Sequence, residues 1–161
     1  MATPALAEEM RIVPGTADQL DSVMKVMDAA FGDEFGEAWT RSQLSGILPM
    51  AGVSLVLAIN RASDRVVGFS LSRTVVDESE LLLIAVLPGA QRRGVGTLLL
   101  DDFLDRARAR GASRVHLEVR DGNPAIEMYR AAGFSAVGRR RNYYHATSGK
   151  RYDAITLAYE L

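Results

Sequence analysis

The segment IAVLPGAQRRGVGTLLLDDFL, residues 84–104, decides the fold. It opens inside an apolar run, Leu81–Leu87, which reads as a strand covered on both faces. It ends inside a helix, Val95–Arg110, with Val95, Leu98, Leu99 and Phe103 on one side and Gly111 as its C-terminal cap. Between them lies a turn, Gln91-Arg92-Arg93-Gly94-Val95-Gly96-Thr97. Glycine lets a backbone come close to a ligand. The free N–H groups of a helix start can hold an anion such as a pyrophosphate, and Arg92 and Arg93 add positive charge there. No lysine follows the glycines, which excludes a Walker A loop. No third glycine stands three residues after Gly96, which excludes a dinucleotide fingerprint.

Working outward, Met10–Val13 reads as a short strand and Thr16–Ala30 as a helix, with Leu20, Val23, Met24 and Met27 on one face. Thr16 with Gln19, and Thr40 with Gln43, are capping-box pairs; the second opens a short helix. Val53–Ile59 and Val66–Val75 read as a hairpin. Beyond the central helix come a strand at Val115–Arg120, a helix at Asn123–Ala132 closed by Gly133, and strands at Phe134–Arg141 and Arg151–Glu160 around an exposed loop. The order β-α-α-β-β-β-α-β-α-β-β predicts an α/β fold of the α+β type: a mixed sheet of about seven strands with helices on both faces. Residues 1–9 are expected to be a flexible segment and residues 10–161 a single domain.

The 161 residues suffice for one such domain and are too few for two ordinary ones. A formal charge of −1 supplies no global field for nucleic acid, so no nucleic-acid partner is expected. The absence of cysteine excludes disulfides and thiol nucleophiles, and with only His116 and His145 no metal site is expected. No apolar run approaches the ~20 residues of a membrane span, and residues 1–13 lack the pattern of a secretory signal, so a cytoplasmic location is expected. Charge is nonetheless uneven. Acids crowd residues 1–37, while Arg139, Arg140, Arg141, Lys150 and Arg151 form a basic stretch near the end.

The turn, Q/R-x-x-G-x-G/A after a strand, resembles the acyl-CoA pyrophosphate loop of the GNAT N-acetyltransferases. The likeness continues through VHLEVRDGNPAIEMYRAAGF (115–134) and RRRNYYHATSGKRYDAITLAYEL (139–161). The latter resembles the last hairpin of the RimI branch, the bacterial ribosomal-protein alanine N-acetyltransferases. The resemblance is specific over about residues 78–161; before that only the order of elements matches. It implies the GNAT fold, acetyl-CoA as cosubstrate and a free amine as acceptor. Ile84, Ala85 and Val86 would offer backbone groups to the pantetheine arm and thioester. Gln91 would begin the turn, and Arg92, Arg93, Gly94, Val95, Gly96 and Thr97 would wrap the diphosphate. Asn123 would bond the cofactor, although its six-residue interval to Tyr129 is one shorter than the branch has. Glu118 would be the general base and Tyr129 the general acid. The acceptor would enter between Phe31–Trp39, with Asp33, Glu34 and Glu37, and Arg141–Arg151, with Tyr143 and Tyr144.

Chemistry constrains these roles. A chain-terminal amine, with a pKa of ~7.7–8.0, is roughly one-tenth neutral at pH 7, whereas a lysine amine near ~10.4 is neutral less than about one time in a thousand. An N-terminal acceptor therefore asks little of a base. A tyrosine near ~10 giving its proton to a thiolate of ~8.5 works uphill by about 2 kcal/mol, which favours hydrogen bonding over full transfer. Glu118 shares a strand face with His116 and Arg120, either of which could simply pair with it. Three functions stay open. They are acetylation of a protein N-terminus such as an alanine-initiated ribosomal protein, acetylation of a small amine (polyamine or aminoglycoside), and a non-catalytic acyl-CoA sensor. The chain could be a monomer or a homodimer.

Overall fold

The computed structural model describes residues 2–161. Seven strands form one mixed sheet: β1 (Met10–Pro14), β2 (Val53–Asn60), β3 (Arg65–Val75), β4 (Glu78–Val86), β5 (Arg114–Arg120), β6 (Ser135–His145) and β7 (Arg151–Glu160). Their order across the sheet is β1-β2-β3-β4-β5-β7-β6. Only β4 and β5 run parallel, joined by the crossover helix α4 (Val95–Ala109). This is the mixed sheet that the element order predicts.

Helices α2 (Leu20–Phe31) and α3 (Arg41–Ile47) cover one face, burying Val23, Met27 and Leu44 against Leu55, Leu57, Phe69 and Leu71. On the opposite face α4 and α5 (Ala125–Ala131) bury Phe103, Leu104 and Tyr129 against Val115, Leu117 and Leu157. Both capping boxes form as read. Thr16, however, opens a single 3-10 turn, Ala17–Gln19, and the α-helix proper begins at Leu20.

Four boundaries differ from the reading. The start of the chain, expected to be loose, carries helix α1 (Pro4–Glu9). Thr3 caps it, Pro4 stands at the first helical position, and Leu6 is buried with Val56, Ala58, Val95 and Leu99. Burying one leucine is worth about 1.5–3 kcal/mol, enough to seat a short segment that propensity alone would leave unfolded. Strand β4 begins at Glu78, and its burial alternates instead of being complete, because Leu82 and Ile84 face a cleft. Helix α5 begins at Ala125, since Asn123 Oδ1 accepts the Ala125 N–H (2.9 Å) in a turn ahead of the helix. The last hairpin is longer than expected, with β6 reaching His145.

Among the described residues, no helix is long and apolar enough to cross a membrane, and no group of three or more His, Cys, Asp or Glu could hold a metal ion.

Candidate active site

The site begins where two parallel strands part. Pairing of β4 with β5 ends at Leu81–Leu117, yet β4 runs on to Val86, paired only with β3. The backbone of Leu83–Val86 on the β5 side is therefore without a strand partner, and a cleft of ≈ 120 Å³ opens between the diverging strands. Ile84 lines it, Ala85 is buried in the core and Val86 is half-buried. An extended ligand could add to this edge as a strand would.

At the end of β4, Pro88–Ala90 forms a 3-10 turn, and the Gln91 side-chain amide donates to the Val86 carbonyl (2.9 Å). Arg92 and Gly94 both adopt left-handed conformations, φ +61° and +97°, which turn the chain sharply into α4. The first hydrogen bond inside that helix is donated by Leu98 to Gly94, so the N–H groups of Val95, Gly96 and Thr97 have no partner within the helix. A diphosphate would suit that set of donors. The cationic contribution is smaller than the sequence suggests, because Arg93 Nη2 is paired with Glu9 of α1 (2.7 Å).

The two glycines have a reason other than the ligand. A Cβ on Gly94 would stand 2.9 Å from Ala2 Cα and 3.1 Å from Leu6 Cδ2, and one on Gly96 would stand 3.2 Å from Met128 Sδ. These residues thus permit the loop to pack on α1 and α5.

Glu118 lies on β5 facing the cleft, with its side chain about 10% exposed. Its partners are neither His116 nor Arg120. Thr156 of β7 donates to Oε2 (2.7 Å), and Arg140 Nε lies 3.0 Å from Oε1. His116 instead sits between Glu78 (3.1 Å) and Glu80 (3.5 Å). Arg120 is buried beside Glu37 (3.4 Å), with its guanidinium 3.6 Å above the Phe35 ring.

Tyr129 is buried on α5 and lines the same cleft. Burial, then the nearby Tyr144 and Glu37, push its phenol well above the ordinary tyrosine range. Tyr144 is raised likewise, by burial first and then by Glu37. Both phenols therefore hold their protons firmly, and Tyr144 donates to the Glu118 carbonyl (3.4 Å).

The segment before α3 and the last hairpin touch each other. Gly36 (φ +72°) packs so closely on the His145–Ala146 backbone that a Cβ there would run into the His145 carbonyl oxygen. Phe35 stacks edge-on with Tyr152 at 5.1 Å. Tyr143 and Tyr144 line the cleft, whereas Asp33 and Glu34 are exposed and do not. Of the three acids in that segment it is Glu37 that lines the cleft, and it also accepts from the Asn123 side-chain amide (3.0 Å). Asn123 is thereby engaged within the protein at both ends, beside Glu37 in the cleft. The partnerships of Glu37, Arg140 and Thr156 left no signal in the sequence, because each is made across elements far apart in the chain.

The chain is similar to known proteins in sequence and in fold. The [Ribosomal protein bS18]-alanine N-acetyltransferases of Salmonella typhimurium and Haemophilus influenzae are 43% and 38% identical over 98 and 96 residues. Each alignment covers 60% of this chain and 66% of the relative, so the matched region spans just under two thirds of those proteins. The crystal structure of the ribosomal-protein-S18-alanine N-acetyltransferase from Escherichia coli superposes with a TM-score of 0.83 at 29% identity, covering 94% of this chain and 93% of that one. The acetyltransferase (GNAT) family pattern matches residues 20–134, which takes in α2, the parting strands, the glycine turn and Tyr129. With most of its length in that match and the parted parallel strands in place, the chain belongs to the GNAT acetyltransferase family.

Proposed function

We propose that the protein transfers the acetyl group of acetyl-CoA to the α-amine of a protein N-terminus, most specifically that of an alanine-initiated ribosomal protein. The carrying observation is that Glu118 and Tyr129 line one cleft with Glu37, Tyr143 and Tyr144, on two segments joined by the contact of Gly36 with the His145 backbone. An acid and two tyrosines beside Glu118 suit a basic chain end, the acid by attraction and the rings by packing on its first side chains. The likeness to the bS18-alanine N-acetyltransferases supports the same acceptor.

In this reading acetyl-CoA lies along the unpaired edge of Ile84–Val86, with its diphosphate on the N–H groups of residues 92–97. The neutral amine attacks the thioester carbon; the C–N bond forms and the C–S bond breaks. Backbone N–H of the β4 edge takes the developing oxyanion. Glu118 accepts the amine proton, directly or through water, while Thr156 fixes its orientation. Tyr129 donates a hydrogen bond to the departing thiolate and keeps its own proton. No metal or nucleic acid is invoked, and the reaction belongs in the cytoplasm, where its two substrates meet.

Incubation with acetyl-CoA and alanine-initiated basic peptides, beside a panel of polyamines and aminoglycosides, tests the proposal. Mass spectrometry should locate one acetyl group on the peptide α-amine. Turnover of small amines alone would refute the acceptor, and coenzyme binding without any turnover would favour a sensor.

A further inference from the structure

We propose that Asp153 is a positioning residue for the acceptor side of the cleft, because its carboxylate fixes the bulge that aims Tyr143 and Tyr144 inward. The proposal rests on reading that side as the acceptor's.

In the β6–β7 ladder Arg140 opposes Ala154 and Tyr144 opposes Tyr152. Asp153 alone therefore faces three residues, Arg141, Asn142 and Tyr143, and the backbone ladder cannot satisfy them all. The side chain of Asp153 takes over. Its Oδ1 accepts the Asn142 N–H (2.9 Å), and its Oδ2 accepts from Arg139 Nη1 (2.9 Å), which also reaches Asp121 Oδ2 (2.8 Å). The Asp153 carbonyl accepts the Asp121 N–H (2.9 Å), tying the bulge to the turn after β5. Asn142 is held left-handed, φ +53°, and its carbonyl accepts from His145 Nε2 (2.8 Å).

The consequence is geometric. Consecutive residues of a regular strand point to opposite faces, so Tyr143 and Tyr144 could not both reach one cleft. Across this bulge both line it, and the Tyr144 hydroxyl comes within 3.4 Å of the Glu118 carbonyl oxygen. The bulge therefore decides what an incoming peptide meets beside Glu118. Asp153 supplies the acceptor that the bulge's N–H requires.

Asp153→Ala and Asp153→Asn separate positioning from general support. Asparagine keeps an oxygen for the Asn142 N–H and loses only the charge toward Arg139. Asp153→Ala should raise the KM of an alanine-initiated basic peptide about tenfold, as loss of ~1.4 kcal/mol of acceptor alignment would, while the acetyl-CoA KM stays within about twofold. Asp153→Asn should restore most of the peptide KM. An unchanged peptide KM in folded Asp153→Ala overturns the proposal, as does an equal rise in both KM values with no rescue by asparagine. Fluorotyrosine-labelled protein gives a readout that needs no acceptor: by 19F NMR the Tyr143 and Tyr144 resonances should move in Asp153→Ala and return in Asp153→Asn. If the wild type acetylates no peptide, the acceptor reading fails and this spectrum alone decides the role of Asp153, unmoved resonances overturning it. Should Asp153→Ala not fold, His145→Ala, which frees the Asn142 carbonyl, is measured in the same way; unmoved resonances there also overturn the proposal.

Discussion

Arg140 Nε sits 3.0 Å from Glu118 Oε1, so the proposed base already carries a cation where an acceptor amine would approach. Arg140 is 63% exposed and Glu118 about 10%. Arg140 is the exposed member of the pair, so a substrate ammonium can take its place. The firmer partner is Thr156 on the other oxygen.

Glu118→Gln should therefore lower kcat by about a hundredfold or more, the range of general-base contributions, with the acetyl-CoA KM little changed. Steady-state kinetics with a basic alanine-initiated peptide measure this. A kcat within about threefold of wild type would remove Glu118 from the chemistry.

Tyr129→Phe should reduce kcat more than it weakens acetyl-CoA binding, measured by turnover beside calorimetry. The two raised phenols also set an alkaline limit. An unfolded tyrosine ionises near ~10, whereas Tyr129 and Tyr144 keep their protons well above that in the folded state. The folded chain then binds more protons than the unfolded one, so stability present below pH ~10 falls as pH rises past it. Ultraviolet titration should show two of the five tyrosines ionising late, and chemical denaturation should show the decline.

Gly94→Ala should destabilise the fold by about 1–3 kcal/mol, the usual cost of a residue forced into the left-handed region. Part of the penalty is steric, against Ala2 and Leu6. Removing residues 2–8 should therefore lessen the effect of the substitution in a double-mutant cycle followed by thermal unfolding. An equal penalty in both backgrounds would show that α1 plays no part.

Gly36→Ala should force the 32–39 loop off the His145 backbone, since a Cβ has no room there. The peptide KM should rise several-fold while the acetyl-CoA KM stays near wild type; an equal change in both would separate this contact from acceptor binding.

Local patterns in the chain sufficed for the elements and for the turn that leads into α4. Hydrophobic period, the Thr16 and Thr40 caps and the glycine turn are local signals, and each element formed close to where its pattern put it. Local signals also placed Glu118 on the open face of its strand and Tyr129 on the last helix. Long-range packing settled which of these residues meet. Glu118 reaches Thr156 and Arg140 because β7 lies between β5 and β6, an order set by long-range pairing. Glu37, not Asp33 or Glu34, enters the cleft because Arg120 and Asn123 draw it in. Residues 4–9 fold because Leu6 is buried with Val56, Ala58, Val95 and Leu99. Such partnerships cost loop-closure entropy and are repaid only by burial in the finished fold, so no window of sequence contains them.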